Sequence, residues 1–484
     1  MIRADWSQYR GPNHNGISSE RILKTWPSSG PRLIWRKSLP DGFGSFTISQ
    51  DRAFTAVKRR IDGKGMEVFL ALNSNTGEEI WSITVGPAAR DGISGEGDGP
   101  RSTPVVDGEY VYLLSAYMKL LCLNKGDGSV VWQRDFIQEF GGKGPDFEAA
   151  ASPLVVGNLV LLNGPTGGSG EKLMGINKFN GNTIWTGPSA KVTHSTPSYL
   201  NLFDTPQVLF YTVGGVISVT PETGKELWRY PFSVTVSTSM SPVVGDNIVY
   251  HSAAYAVGAR AARLTKSGTS FQISEIWRKK NELITFWSTP IYYNGHLFGL
   301  YGQDYGASAP LKCVELATGT EKWSQPGFGA GQVLLVDKTI LMLTADGKLV
   351  LVEPNLSGYK ELARFKALSG LCWNAPAIHN GRLYARSNKE GVCLDLTPPP
   401  LPRLAIRNPS LESGSGYRFY LTCSDGSIMD TERMQRLEII EAASLSKSLH
   451  EWTSVTNCVF STDSSVFIPA AESSAQRFFM VIEK

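Results

Sequence analysis

The chain has 484 residues, 42% of them hydrophobic and 19% charged, with a formal net charge of +3; that length exceeds what one hydrophobic core supports, so several domains or a repeat architecture is required. Basic and acidic residues are interspersed throughout, which excludes a nucleic-acid footprint or a basic membrane anchor, and no apolar run reaches the ~18 residues that cross a bilayer. With 49 Gly, 27 Pro and 12 Trp, the composition is that of a turn-rich chain of short strands carrying large aromatic anchors.

Residues 1–32 precede the repeats and read as an N-terminal extension. Leu33-Ile34-Trp35-Arg36-Lys37 then carries a strand signature ending in Trp, without the three strands that should come before it. From there a unit recurs in which a small residue is followed by Gly six positions later and Trp ten positions later: Ala71/Gly77/Trp81, Cys122/Gly128/Trp132, Gly175/Gly181/Trp185, Ser218/Gly224/Trp228 and Cys313/Gly319/Trp323. The Gly closes a hairpin turn that needs positive φ. The Trp stands on the returning strand, where it can stack between neighbouring blades, and the small residue makes room for it. Cys122, Cys313 and Cys393 fall at the small position and are expected to be buried and inert. Each unit opens with a Ser/Thr/Ala-Pro step, as at Thr103-Pro104, Ser152-Pro153, Thr196-Pro197, Ser241-Pro242, Thr289-Pro290 and Ala375-Pro376, where proline at a strand start costs no ladder hydrogen bond. Four strands in about 45–50 residues is the size of a propeller blade.

Six units end near Trp81, Trp132, Trp185, Trp228, Trp277 and Trp323. A seventh is degenerate, with Gly358 at its turn and Leu362 where Trp should stand, and an eighth starts at Trp373 and stops after three strands at Pro398-Pro399-Pro400. The orphan strand at Leu33–Lys37 can supply the fourth and close the ring. The fold expected is therefore all-β: an eight-bladed β-propeller over residues 33–397 whose last blade is closed by the N-terminal strand, a Pro-rich linker at 398–402, and a small β-sandwich-like module over 403–484. Cys423 and Cys458 both lie in that module, either paired or as two separate thiols. The six cysteines form no C-x-x-C, which removes a zinc or redox motif.

In a propeller the segments leading into the innermost strands gather at one mouth of the central channel. Here they carry Asp98, Arg101, Glu148, His194, Ser237, Trp287, Gln332, Trp373 and Asn374, a convergence of charged, imidazole, amide and indole groups suited to a polar ligand, or to plain solvated channel lining. Trp287 and Trp373 are either stacking faces or interblade packing. The run Asp91–Gly99 fails the EF-hand spacing and reads as a mobile loop over the channel. Gly164–Lys172 lacks the phosphate-loop order.

The units resemble the repeats of pyrroloquinoline-quinone-type propellers, a superfamily holding quinoprotein alcohol dehydrogenases and a non-enzymatic scaffold lipoprotein of the outer-membrane barrel-assembly machinery. Within it, Asp5-Trp6-Ser7-Gln8-Tyr9-Arg10-Gly11-Pro12, Gly99-Pro100-Arg101-Ser102-Thr103-Pro104 and Gly370-Leu371-Cys372-Trp373-Asn374-Ala375-Pro376 are similar to a group of secreted or periplasmic propellers. The chain opens at Met1-Ile2-Arg3-Ala4-Asp5 without an apolar leader core, literally a cytosolic start; the resemblance implies instead a periplasmic or secreted protein whose signal peptide has been removed.

Two functions follow from the resemblance. The favoured one is a non-catalytic scaffold that binds a protein, glycan or small ligand at the channel mouth, with no cofactor, no catalytic residue, no metal, no nucleic acid and no membrane span, as a monomer. The alternative is a dehydrogenase dependent on pyrroloquinoline quinone and Ca²⁺. Against it, the adjacent cysteine pair of that family is missing, no acid stands at the lead-ins of blades 5 and 6, and Glu148 alone is left as a calcium ligand. A hydrolase or lyase using Glu148 and His194 is the third possibility.

Overall fold

A computed structural model of the protein describes residues 5–88, 99–302, 309–412, 416–427, 429, 431–461, 464–469 and 477–483. The chain divides into two compact units, Met1–Pro398 and Pro399–Lys484.

Among the described residues, the first unit contains eight sheets built on four antiparallel strands. Blade 1 runs from Thr47–Ser49 inward to Glu79–Pro87 outward, and the pattern repeats through blade 2 (Val105–Asp107 to Val130–Asp135), blade 3 (Leu154–Val156 to Thr183–Ser189) and blade 4 (Ser198–Leu202 to Glu226–Pro231). Blade 5 follows (Val243–Gly245 to Ser270–Lys279), then blade 6 (Ile291–Tyr293 to Glu321–Gln325) and blade 7 (Gln332–Val336 to Glu361–Lys366). Blade 8 takes three strands, starting at Ala377–His379, from the end of the unit and its outermost strand, Arg32–Ser38, from the beginning. The innermost strands touch from blade to blade across blades 1 to 4 and 5 to 7, and that of blade 8 touches that of blade 1. This is a β-propeller, and pairing of Arg32–Ser38 with Glu390–Asp395 leaves no open sheet edge at the join.

The repeat spacing has a direct physical cause. Ala71 lies opposite Trp81, Cys122 opposite Trp132, Gly175 opposite Trp185, Ser218 opposite Trp228, Cys313 opposite Trp323 and Cys393 opposite Trp35, each next to a one-residue bulge. Each small residue leaves the volume that the indole fills. Burial pushes the thiols of Cys122, Cys313 and Cys393 up to about 12, so they remain protonated packing groups. Each indole then reaches the next blade. Trp81 donates its Nε1–H to Lys125 O at 3.2 Å and lies on Gly128, where a Cβ would come within 2.6 Å of the ring. Trp35 lies likewise on Gly77, Trp132 on Gly181, Trp185 on Gly224 and Trp277 on Gly319. The hairpin glycine thus serves two needs, a positive φ and a bare surface for the neighbouring indole.

Blades 4 and 7 depart from this rule. Blade 5 has a long third–fourth hairpin (Gly258–Ser267, Ser270–Lys279), so Trp228 donates instead to Gln207 Oε1 of its own blade at 2.8 Å. In blade 7 the residue at the Trp register is Ala363, opposite Leu351, and Leu362 is the bulge residue; this corrects the expectation that Leu362 stands in for Trp. Large and small have exchanged strands. The reason lies in blade 8, whose last strand comes from the N-terminus, so no hairpin glycine faces blade 7. Gly30 (φ 80°), just before that strand, receives Phe365 instead, with the ring 2.3 Å from where a Cβ would stand.

The N-terminal segment is part of the propeller core. Trp6 is 2% exposed and bridges Ile48, so the stretch that reads in the sequence as an extension before the repeats is docked on blade 1.

The second unit has two sheets, one holding Leu404–Glu412 and Gly416–Cys423, the other Leu437–Ala442 and Phe478–Glu483, around Leu421, Ile439, Val466 and Ile468. Cys423 and Cys458 are not bonded to each other: Arg433 donates to Cys423 Sγ at 3.3 Å, and Cys458 Sγ donates to Val455 O at 3.2 Å. No helix among the described residues is long and apolar enough to cross a membrane.

Candidate functional site

The Ser/Thr-Pro steps do more than start strands. Around the axis, the amide of Ala375 donates to Ser45 Oγ (3.1 Å), that of Ser45 to Thr103 Oγ1 (3.0 Å), that of Thr103 to Ser152 Oγ (2.9 Å) and that of Ser152 to Thr196 Oγ1 (3.0 Å). Ser241 Oγ donates to Thr196 O (2.9 Å), and the Ser241 amide to Thr289 Oγ1 (3.0 Å). Each blade's hydroxyl therefore satisfies a main-chain group of a neighbouring blade, where water is excluded and an unmet donor would be costly. Blade 7 has no such step. There Gln332 Nε2 donates to Trp287 O of the blade 6 lead-in (2.9 Å) and Trp373 O of the blade 8 lead-in (3.1 Å). The result is a polar belt tying the eight blades together around the channel.

Residues 5–18 close one end. Ile48 N–H donates to Trp6 O (2.9 Å) and Val106 N–H to Ser7 O (2.8 Å), on blades 1 and 2. Arg10 then donates to Thr289 O (2.8 Å) and Pro290 O (3.2 Å) of blade 6, and Ile17–Ser18 add a parallel strand to Gln332–Val336 of blade 7. This strap passes from one side of the ring to the other, and Tyr9, midway along it, lines a cavity of about 390 Å³.

The walls of that cavity bring together seven of the expected residues: Arg101, His194, Ser237, Trp287, Gln332, Trp373 and Asn374. Ser237 accepts the His194 amide at 3.3 Å. Asp98 lies outside the described residues, as does nearly all of the Asp91–Gly99 run. Glu148 does not line the cavity. Its neighbour Phe147 does, because both residues hold left-handed backbone (φ 68° and 60°) and the turn points the ring inward. Arg101 donates to Phe147 O at 2.7 Å and fixes that turn.

Sequence reasoning found two of the site's rings, Trp287 and Trp373, and missed the cluster they belong to. Phe43 stacks on Trp373 (4.8 Å between centroids), Trp373 meets Trp287 (5.2 Å), Trp287 meets Phe286 (4.5 Å), and Phe286 meets Tyr255 edge-on (5.4 Å). Trp287 and Trp373 therefore pack between blades and line the cavity at once. Phe147 and Tyr255 remain 47% and 41% exposed. The signal for Phe43 was present in Gly42-Phe43-Gly44-Ser45, the lead-in of blade 1, which carries no Pro step to mark it.

Polar groups in the wall fall into two sets. The belt hydroxyls are already engaged. By contrast, Asn374 is 3% exposed and neither Oδ1 nor Nδ2 has a partner, and Gln332 Oε1 is also unmatched. Burial, then the Arg101 charge, lowers the His194 pKa to about 4, so the imidazole is neutral at neutral pH. Its ring is hydrogen-bonded to the main chain at Asp146 and Glu148, which places the proton on Nδ1 and leaves Nε2 as an unpartnered acceptor. The described wall holds one cation and no carboxylate.

Comparison with known proteins places this architecture. Residues 64–325, more than half of the chain, match the family model of the outer membrane protein assembly factor BamB. The BamB of Escherichia coli (strain K12) is 33% identical over 105 residues, and that of Salmonella typhimurium (strain LT2) 31% over 109, in each case 21% of this chain and 26% of the other. The chain thus spans about a quarter of the length of the curated relatives it matches. Among solved structures, BamB from Moraxella catarrhalis superposes with a TM-score of 0.53 at 16% identity, over 75% of this chain and 97% of that one. Quinohemoprotein alcohol dehydrogenase from Comamonas testosteroni gives 0.58 at 12% identity, over 83% and 82%. Such identities speak for the shared fold alone. The Trp-ended blades, their closure by the N-terminal strand and the extent of the sequence match together make this chain a member of the BamB family of pyrroloquinoline-quinone-like β-propellers.

Proposed function

We propose that this protein is a non-catalytic, extracytoplasmic binding propeller, periplasmic or secreted, whose cavity takes a small ligand while its outer surface serves a protein partner. The observation that carries the ligand reading is the cavity itself, about 390 Å³, where Arg101 and an aromatic cluster of Phe43, Phe286, Trp287 and Trp373 converge from different blades. The scaffold part is supported by the family's designation as an assembly factor.

The quinone alternative fits the wall poorly. A calcium-bound quinone calls for carboxylate ligands on the metal and several cations for its own carboxylates. The described wall offers Arg101 alone, and among the described residues no three His, Cys, Asp or Glu side chains converge as a metal site.

The test is a thermal-shift screen of the full chain against a small-molecule library, repeated on Ala150→Phe, which fills the cavity. Hits that stabilise the parent and lose their effect in the filled variant are expected; hits indifferent to the filling would sink the cavity as the site. With added quinone and Ca²⁺, dye-linked alcohol oxidation is expected to be absent, and turnover would promote the dehydrogenase instead.

A further inference from the structure

Resting on that ligand reading, we infer that the cavity binds a small aromatic acid with a single carboxylate, received by Arg101, and with its ring among Phe147, Tyr255 and Phe286. Arg101 lines the cavity and is half-buried, and it spends Nη1 on Phe147 O at 2.7 Å. Among the described residues it makes no ion pair, and its Nε and Nη2 are neither engaged by the protein nor sealed off from solvent. That edge of a guanidinium presents two parallel N–H groups, the spacing that one carboxylate accepts bidentately. The carboxyls nearby do not supply it. Glu67 lies outside the cavity wall, fully buried with Oε2 accepting the Ala116 amide at 3.0 Å, and burial pushes its pKa up to about 7. Asp146 pairs with Lys143 at 3.4 Å, and neither it nor Glu148 lines the cavity.

Charge fixes the class of acid. The described wall holds one guanidinium, a neutral His194 and no carboxylate, so it suits one negative charge, gives a polyanion too little, and leaves the ammonium of an amino acid without a counter-charge. The rings fix the rest of the ligand. Phe147 and Tyr255 stay 47% and 41% exposed, and both stand on left-handed backbone (φ 68° and 57°), an uncommon setting for a bulky side chain. Strain of this kind, spent on holding rings out of the core, is typical of ligand clamps. Phe286 continues the surface edge-on to Tyr255 at 5.4 Å, whereas Trp373 is covered by Phe43 and Trp287 and backs the cluster. Because the guanidinium that takes the acid also holds the Phe147 carbonyl, charge and ring subsites adjoin, and the link between carboxylate and ring is short. The volume of about 390 Å³ lies at the small end of ligand pockets, roughly 300–1,000 Å³, and admits one or two fused rings.

The experiment is saturation-transfer NMR with calorimetry on the full chain. The probes are benzoate, phenylacetate and indoleacetate, each beside its primary amide, with phenylalanine as the ammonium-bearing control. At least one acid is expected to bind, with its amide weaker by about tenfold or more and phenylalanine weaker as well. Arg101→Met should lower the acid's affinity by about tenfold or more and abolish the difference between acid and amide; a merely structural Arg101 would weaken both alike. Should that variant not fold, Tyr255→Ala, at the exposed rim, must still weaken the acid. An acid and an amide that bind equally to the parent, or an acid indifferent to both variants, overturns the assignment. If no aromatic acid binds while a neutral compound, pyrroloquinoline quinone or a peptide does, and Ala150→Phe blocks it, the aromatic acid is wrong and the cavity stands. If no probe of any class binds, both fall.

Discussion

Trp6 shows how a residue outside the repeats acquires the energetics of one inside them. Its ring lies over Gly11 and against Ile48, and at 2% exposure it is as buried as Trp228 at 5%. Trp6→Ala is accordingly expected to cost ~3–5 kcal/mol, the usual loss for a buried large aromatic, and Trp228→Ala a similar amount; a loss under about 1 kcal/mol at Trp6 in urea denaturation would mean the strap is not docked. His251 governs the response to acid. It is fully buried among Tyr211, Tyr230 and Phe232 with neither ring nitrogen matched, and burial, then the Arg260 charge, lowers its pKa to about 3. Below pH ~6.5 the unfolded imidazole takes a proton that the folded one refuses, so stability falls as pH drops from ~6.5 toward ~3, by ~1.4 kcal/mol per unit. His194 has the same sign. Glu67, raised to about 7 by burial, has the opposite one, since the folded carboxyl holds its proton between ~4.5 and ~7 and stability there grows on acidification. His14, lowered to about 4 by burial, shares the sign of His251, and three imidazoles against one carboxyl leave a net loss. The urea midpoint should decline from pH 7 to pH 4.5, and His251→Phe should flatten the decline; an unchanged slope would acquit His251. None of these pairings could be read from the sequence, where His251 sits in a strand pattern and Trp6 in an unclassified stretch.

The indole–glycine joint between blades makes a prediction with its own control. Gly63 and Gly128 have nearly the same backbone (φ 75° and 76°), but a Cβ at Gly63 meets nothing within 4 Å, whereas at Gly128 it meets the Trp81 ring at 2.6 Å. Gly63→Ala should cost only the strain of a left-handed residue, about 1 kcal/mol, and Gly128→Ala clearly more; equal losses would show that the joint carries no energy. At this scale the sequence was largely legible, because a fixed Gly–Trp spacing reports a hairpin, a bulge and a neighbour at once. Its failure at blade 7 has a definite cause. Counting from Gly358 places Leu362 at the Trp position, but the blade 7 hairpin is longer, since Leu351 and its partner Ala363 lie twelve residues apart where Ala71 and Trp81 lie ten, and the absent hairpin in blade 8 removes the partner that would have required Trp. The lead-in rule located Arg101, His194, Ser237, Gln332, Asn374 and two of the rings, Trp287 and Trp373, but misplaced Glu148 and did not find the remaining rings. Phe147 enters through a left-handed turn and Tyr9 through a segment with no repeat to index it. The belt was half legible: Ser/Thr-Pro announces a strand start, and the use of the hydroxyl by the adjoining blade becomes visible only once the blades are side by side.

For the propeller as a whole, residues before 39 perform two separable tasks. Arg32–Ser38 completes blade 8, while residues 5–18 strap blades 1 and 2 to blades 6 and 7. Removing 1–18 should leave a monomer with a lowered melting temperature. Removing 1–38 should in addition bare the edge of Glu390–Asp395 and drive self-association. Light scattering after size exclusion separates the two, and a 1–38 deletion that stayed monomeric and equally heat-stable would deny the strand its closing role.

Pairing Trp35 with Cys393 also sets the order of events in the life of the chain. The strand that leaves the ribosome among the first finds its partner only when nearly all of the unit has been made, a contact of very long sequence separation and correspondingly slow formation. Until then the nascent polypeptide consists of partial sheets with one terminus unsatisfied at each end. A molecule wired in this way cannot close its ring before the last blade has been made. It equally exposes the half-made ring to proteolysis and to holdase chaperones for as long as synthesis lasts.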